Sequence, residues 1–273
     1  MDFGARTDTG RIRENNEDSF RLAPELNLFV LSDGMGGQAS GEVASRVATE
    51  SIVAHCREAE RDSSMPLVGV RVAGVSGAAN RLASAIRHAN DEVRKAAEQN
   101  PERNGMGATV VAVQFVGERM SLAHVGDSRA YRLRAGELEL LTQDHSFVAE
   151  QVRRGIMTQK EAERSKLQNV LLRALGAEPI VDVDVQEELI LEGDTILLCS
   201  DGLTRDLSNE QIAAALIESE DEQAQEAAER LVDLANQAGG GDNITAIIVR
   251  RTAKPVGAFA RIGRWFKGSE EAS

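Results

Sequence analysis

Residues 28–42 read LFVLSDGMGGQASGE: four apolar residues, a serine, an acid, and then three glycines within four positions. The apolar run is too short for a buried helix and suits a strand inside a core. Glycine after an acid at a strand end marks a place where the backbone must pass close to something or turn sharply. A shortened copy returns at residues 195–202, TILLCSDG, again an apolar run ending in Ser-Asp-Gly.

The rest of the chain is read outward from these two phrases. Strands are expected over 18–23 and 27–32, then a helix over about 41–60 and a second over about 77–98, closed by Pro101 and Gly105. Three strands follow at about 108–116, 119–125 and 129–134, with connections too short for helical crossovers, so they pair antiparallel. Residues 146–180 read as helical and polar; strands resume at 181–190 and 194–199, helices at about 208–217 and 223–238, and a last strand at 243–250. Strands grouped with strands and helices with helices predict an α+β fold of antiparallel sheets covered by helices, in one domain to about residue 252.

Bulk properties exclude several classes. Of 273 residues, 42% are apolar, enough for a real core, and the net charge of −13 argues against general nucleic-acid binding. Cys56 and Cys199 read as buried thiols in a reducing compartment. The N-terminus MDFGARTDTG lacks a signal-peptide pattern, and no apolar run approaches the roughly 20 residues that span a bilayer, so a soluble, cytoplasmic protein is expected.

The chemistry is carried by acids. Asp33 and Asp201 follow strands and precede glycines. Asp242 stands in GGGDN just before a strand, Asp127 in the turn HVGDSR, and Glu17 and Asp18 in NNEDSF where another strand starts. Any one of them alone reads as a turn residue. Together they predict an oxygen-ligated site for Mg²⁺ or Mn²⁺, because converging carboxylates need neutralising and no Cys pair or His pair at ligand spacing is present. Arg13, four residues before Glu17, is either the grip for a substrate phosphate or an ion-pair partner of Glu17 or Asp18. The loop GMGG lacks the Gly-Lys-Ser/Thr ending of a nucleotide-binding loop.

In order, the phrases RIRENNEDSF, LSDGMGGQASGEVAS, GMGATVVA, AHVGDSRAYRL, LTQDHS, LLRALG, LLCSDGLT and GGGDNITAIIV resemble the metal-dependent serine/threonine protein phosphatases of the PPM, or protein phosphatase 2C, type in their bacterial form, over about residues 2–252. The resemblance implies a four-layer αββα sandwich with a metal cleft at one edge of two antiparallel sheets and a flap over about 146–190. It implies that Asp33 bridges two ions, that the Gly34 carbonyl binds the second, and that Asp201 and Asp242 bind the first. Glu17 and Asp18 act near the ions through waters, Asp127 with Asp201 matches a third-ion site, Arg13 holds the phosphate, and Asn243 supports the loop of Asp242. Two ions roughly 3.5–4 Å apart then lower the pKa of a shared water, and the hydroxide attacks phosphorus in line.

Met35 stands where animal members carry a histidine, and Gln38 where many bacterial members have one, so the resemblance leaves the general acid unassigned, with a metal-bound water as one candidate. Of the four histidines, His145 reads either as a catalytic group or as part of a helix entry, His124 as a packed core residue, and His55 and His88 as solvent-facing. The implied partners are phosphorylated proteins and a bacterial Ser/Thr kinase, with the enzyme acting as a monomer. Two other readings are a non-catalytic phosphoprotein-binding member of the fold and a phosphatase for anti-sigma-factor regulators. Residues 253–273 form a tail; the stretch 250–267 carries six basic residues and no acid, a short amphipathic segment suited to weak docking on a membrane or partner, or to folding back on the acidic helices.

Overall fold

A computed structural model describes residues 1–36 and 40–251; Gln38 and the basic tail lie outside the described residues. The elements run β1 (Asp2–Asp8), β2 (Asp18–Ala23), β3 (Leu28–Met35), α1 (Ser40–Arg61), α2 (Gly77–Glu98), β4 (Gly107–Ala108), β5 (Val110–Val116), β6 (Arg119–Val125), β7 (Arg129–Arg134) and β8 (Glu137–Leu140). Then come α3 (Phe147–Arg153), α4 (Gln159–Ala162), β9 (Asp184–Leu189), β10 (Thr195–Cys199), α5 (Asp201–Asp206), α6 (Asn209–Glu218), α7 (Ala224–Ala238) and β11 (Ile244–Arg250).

One sheet has the order β1-β11-β10-β7-β8; the other has the order β2-β3-β5-β6-β9, with β4 pairing β3. Every pairing is antiparallel. The period-2 alternation of a strand explains the layering. Leu28 and Val30 of β3 face α1 and α2, joining Ile52, Leu82 and Ile86 in one apolar cluster. Their neighbours Phe29 and Leu31 face the other sheet and meet Ile196, Leu198, Ile247 and Val249. Leu197, Ile248 and Tyr131 point the opposite way, onto Ile212, Leu231 and Val232 of α6 and α7. Four layers result, helix–sheet–sheet–helix. The run LFVL is apolar without alternation because both faces of β3 are covered. Cys56 and Cys199 are buried and unpaired, and burial pushes each thiol up to about 12.

The structure adds β8 and α5, which the sequence reading did not place, and departs from that reading in three further places. Residues 146–180 hold only α3 and α4; the rest is irregular. Ile156, Leu167, Leu172 and Ile180 are exposed there, and only scattered positions such as Val148, Ala162, Ala174 and Leu175 are buried, too few on one stripe to hold a long helix. Strand β1, DFGARTD, is missed by alternation because only Phe3 and Ala5 pack on the inter-sheet core, while pairing along the whole of β11 holds it. His55 does not face solvent: it is buried in α1, 3.3 Å from Ser84 Oγ, with its ring 4.8 Å from that of half-buried His88.

Candidate metal centre

Antiparallel pairing places the end of one strand beside the start of its neighbour, and this gathers the acids. Asp33 near the end of β3 is in register with Asp18 at the start of β2. Asp201 opens α5 directly after β10, and Asp242 and Asn243 precede β11, the neighbour of β10. Asp127 lies in the turn between β6 and β7. The centre therefore straddles the same end of both sheets.

Hydroxyls hold the two sheets together under it. Asp18 Oδ2 accepts from Thr245 Oγ1 at 2.6 Å and Ser200 Oγ at 2.8 Å, both from the opposite sheet's strand ends. The Asp33 N–H donates to Thr109 Oγ1 at 3.0 Å, and the Thr109 N–H donates to the Asp33 carbonyl at 2.8 Å. Thr109 Oγ1 also meets Ser128 Oγ at 2.7 Å, next to Asp127. Asn243 clasps the loop before β2: its Oδ1 accepts from the Glu17 N–H, and its Nδ2 donates to the carbonyls of Thr9 and Asn15. Sequence reasoning did not single out Thr109, Ser128, Ser200 or Thr245. Their signal is a lone hydroxyl at the edge of an apolar run.

The glycines after the two strand-end acids have a common cause. A Cβ on Gly34 would overlap the Gly41 carbonyl oxygen at the start of α1, and one on Gly202 would overlap the Asn243 carbonyl oxygen. At both places the backbone presses against the segment that carries or flanks another acid. Gly34→Ala is expected to cost ~3 kcal/mol, a fall in Tm of roughly 6–12 °C, and to weaken Mn²⁺ binding; differential scanning fluorimetry with and without Mn²⁺ measures both.

The electrostatics express the convergence. Burial pushes the Asp18 carboxyl up to about 7 despite the hydrogen bonds from Thr245 and Ser200. Burial and the charge of Asp201 push Asp127 up to about 7. Asp33 is raised well above the usual range by burial and then by Asp18, Asp201, Asp127 and Asp242. Asp201 is raised by burial, and it stands within hydrogen-bonding reach of Asp33. Glu17 is raised by burial beside Gly41. Two carboxylate oxygens, Asp18 Oδ1 and Asp201 Oδ1, are buried with no hydrogen-bond partner. Crowded acids with orphaned oxygens and no Cys or His among them fit hard divalent cations.

Two arginines reach this cluster. Arg13 Nη2 donates to Asp242 Oδ2 at 2.9 Å, not to Glu17 or Asp18. Arg205, which sequence reasoning passed over, also reaches Asp242 Oδ2, at 2.7 Å. A second group of ligand-type side chains, His124, His145 and Asp184, lies elsewhere. His145 Nδ1 accepts from the Gly126 N–H at 3.1 Å, so its proton is on Nε2, facing Asp184 Oδ2 at 3.3 Å. His124 Nε2 donates to the Gln143 carbonyl, and Arg173 Nη1 donates to Asp184 Oδ1 at 2.7 Å. Protons and a guanidinium already satisfy this group, which ties the Asp127 turn to the segment before β9.

The profile of the protein phosphatase 2C family matches residues 11–236. The chain belongs to the protein phosphatase 2C family. It is 37% identical over 246 residues to the serine/threonine protein phosphatase PstP of Mycobacterium tuberculosis, an alignment covering 90% of this chain and 44% of PstP. It is 35% identical over 258 residues to the serine/threonine phosphatase stp of Listeria innocua, covering 93% of this chain and 98% of that protein. The chain thus spans less than half of PstP and nearly all of the Listeria protein. Among solved structures, the Mycobacterium tuberculosis phosphatase PstP/Ppp superposes with a TM-score of 0.78 at 36% identity, and the catalytic domain of PstP in complex with two manganese ions with a TM-score of 0.75 at 37% identity, each covering 92% of this chain and 98% of that one. The two stacked antiparallel sheets with flanking helices are those of the protein phosphatase 2C fold. No helix among the described residues is long and apolar enough to cross a membrane.

Proposed function

We propose that the chain is a phosphoprotein phosphatase that hydrolyses phosphoserine and phosphothreonine with two bound Mg²⁺ or Mn²⁺ ions, opposing a bacterial Ser/Thr kinase. The observation that carries this reading is the cluster of Asp18, Asp33, Asp201 and Asp242 at one end of both sheets, with two orphaned buried oxygens and an arginine at its rim. Asp33, the Gly34 carbonyl, Asp201 and Asp242 are the proposed holders of the ions, with Glu17 and Asp18 beside them. When bound, such ions supply a water acidic enough to act as nucleophile at neutral pH.

The chain's own residues position the rest. Arg13 is exposed on the loop that Asn243 clasps, and Asp242 orients its guanidinium toward the cleft. A guanidinium so held can grip two phosphoryl oxygens and align the phosphorus for in-line displacement. Asp18 and Asp33, fixed by Thr245, Ser200 and Thr109, keep the anionic wall of the cleft rigid. Arg13→Ala is expected to lower kcat/KM for a phosphothreonine peptide about 10–100-fold, mostly through KM, with Arg13→Lys only partly restoring it.

The reading is tested by Mn²⁺-dependent release of phosphate from a phosphothreonine peptide. Turnover that appears with Mn²⁺ and vanishes on chelation is expected. A folded protein, saturated with Mn²⁺, that releases no phosphate overturns it in favour of a phosphoprotein-binding role.

A further inference from the structure

We infer that the cleft continues into a side-chain pocket that takes a bulky apolar residue flanking the phosphorylated residue of a protein substrate. The inference rests on the phosphatase reading above and names a feature of the substrate that the acids of the centre do not select. A cavity of about 520 Å³ opens beside Met35, the last residue of β3. Residues two apart on a strand point to the same face, so Met35 follows Asp33 on the side of the candidate metal centre, about 6.6 Å further along the strand. An extended peptide advances by about 3.3–3.6 Å per residue. The pocket therefore lies within two or three residues of a phosphorylated residue held at Asp33.

The lining decides what fits. Met35, Ala97, Pro101, Met106 and Ala177 give it apolar surface. Its two charged residues, Arg94 and Glu98, stand one turn apart on α2 and pair with each other, Arg94 Nη2 lying 3.6 Å from Glu98 Oε1. Among the described residues of the wall no other charge is present, so an acidic or basic side chain finds no free partner there. The back of the pocket is firmly packed. A Cβ on Gly107 would stand 2.8 Å from Met35 Cε and 2.9 Å from the Leu175 carbonyl oxygen, and one on Gly176 would stand 2.7 Å from Val93 Cγ1. Interiors keep few voids larger than a water molecule, whereas a cavity of this size is in the range of ligand sites. The flexible thioether chains of Met35 and Met106 can reshape around an apolar guest.

The test is kcat/KM of the Mn²⁺-loaded full chain on phosphothreonine peptides carrying Ala, Leu, Phe, Asp or Lys at each of three positions on either side. Para-nitrophenyl phosphate, which has no flanking residue, is the control substrate. Leu or Phe at one of these positions is expected to raise kcat/KM about tenfold over Ala, mostly through KM. Asp or Lys at that position is expected to give no gain. Ala97→Phe fills the pocket from half-buried Ala97 and is expected to erase the preference. Its unchanged hydrolysis of para-nitrophenyl phosphate reports an intact fold. Glu98→Trp, at an exposed position of the same wall, is expected to do the same without disturbing packed atoms. Equal rates for Ala, Leu and Phe at every position overturn the inference and leave the phosphatase reading intact. A gain for Asp or Lys instead of Leu also overturns it, as does an apolar preference that survives both substitutions. Wild type that hydrolyses neither the peptides nor para-nitrophenyl phosphate overturns the phosphatase reading itself.

Discussion

Asp33→Asn is expected to abolish phosphopeptide hydrolysis, by at least about 10³-fold in kcat, and to lose Mn²⁺ affinity in the same protein. The side chain stands at the crowded point of the centre, where Asp18, Asp201, Asp127 and Asp242 all raise its carboxyl. An amide keeps the size and one acceptor oxygen but removes the charge that a shared cation needs. The backbone bonds between Asp33 and Thr109 do not involve the side-chain carboxyl, so the fold is expected to survive. Phosphate release and Mn²⁺ calorimetry on one preparation check the pairing of the two losses. Near-normal turnover in that variant would sink the assignment of Asp33 to the ions.

Asp18→Asn is expected to stabilise the metal-free protein, more at pH 8 than at pH 5.5. Burial is the main cause of the raised Asp18 carboxyl, about 7 in the folded chain against about 3.9 unfolded. A group with a raised folded pKa binds more protons folded than unfolded. Its effect is therefore to weaken the fold as pH climbs from about 4 to about 7, and to stay constant above. Removing that carboxyl is worth on the order of 2 kcal/mol more at pH 8 than at pH 5.5. Comparing each pH with wild type cancels the contributions of groups that the two proteins share. Saturating Mn²⁺ is expected to reverse the order, since binding at a hundred times Kd adds about 2.7 kcal/mol to whichever protein holds the ion better. Thermal melts of both proteins, chelated and Mn²⁺-loaded, decide it; an Asp18→Asn variant that melts lower than wild type at pH 8 without metal contradicts the electrostatic account.

Much of the centre was legible because its acids carry local marks. Asp33-Gly34 and Asp201-Gly202 stand where buried strands stop, and both glycines avoid overlap with a carbonyl of a neighbouring segment. Asp127 and Asp242 stand in turns beside glycine or asparagine. Thr109, Ser200 and Thr245 bear no such mark. A hydroxyl in an apolar run reads as ordinary strand composition until Asp18 and Asp33 are seen against it. Arg205 was overlooked for a related reason. An arginine one turn into a short polar helix looks like a surface charge, and only the approach of Asp242 and Asn169 gives it a site.

The linear chain was sufficient for whatever depends on neighbours a few residues away: strand and helix positions with a strong apolar period, glycines at tight passes, and the type of ligand atom offered. It was insufficient for β1, whose hold comes from β11 more than 230 residues later, and for the stretch 146–180, where a polar helical pattern buries only scattered positions such as Val148 and Leu175. Folding alone decided which oxygens are orphaned, which hydroxyls brace them and which guanidinium reaches them. Those relations join strand ends of two different sheets, and contacts across a sandwich leave no spacing in the sequence from which to read them.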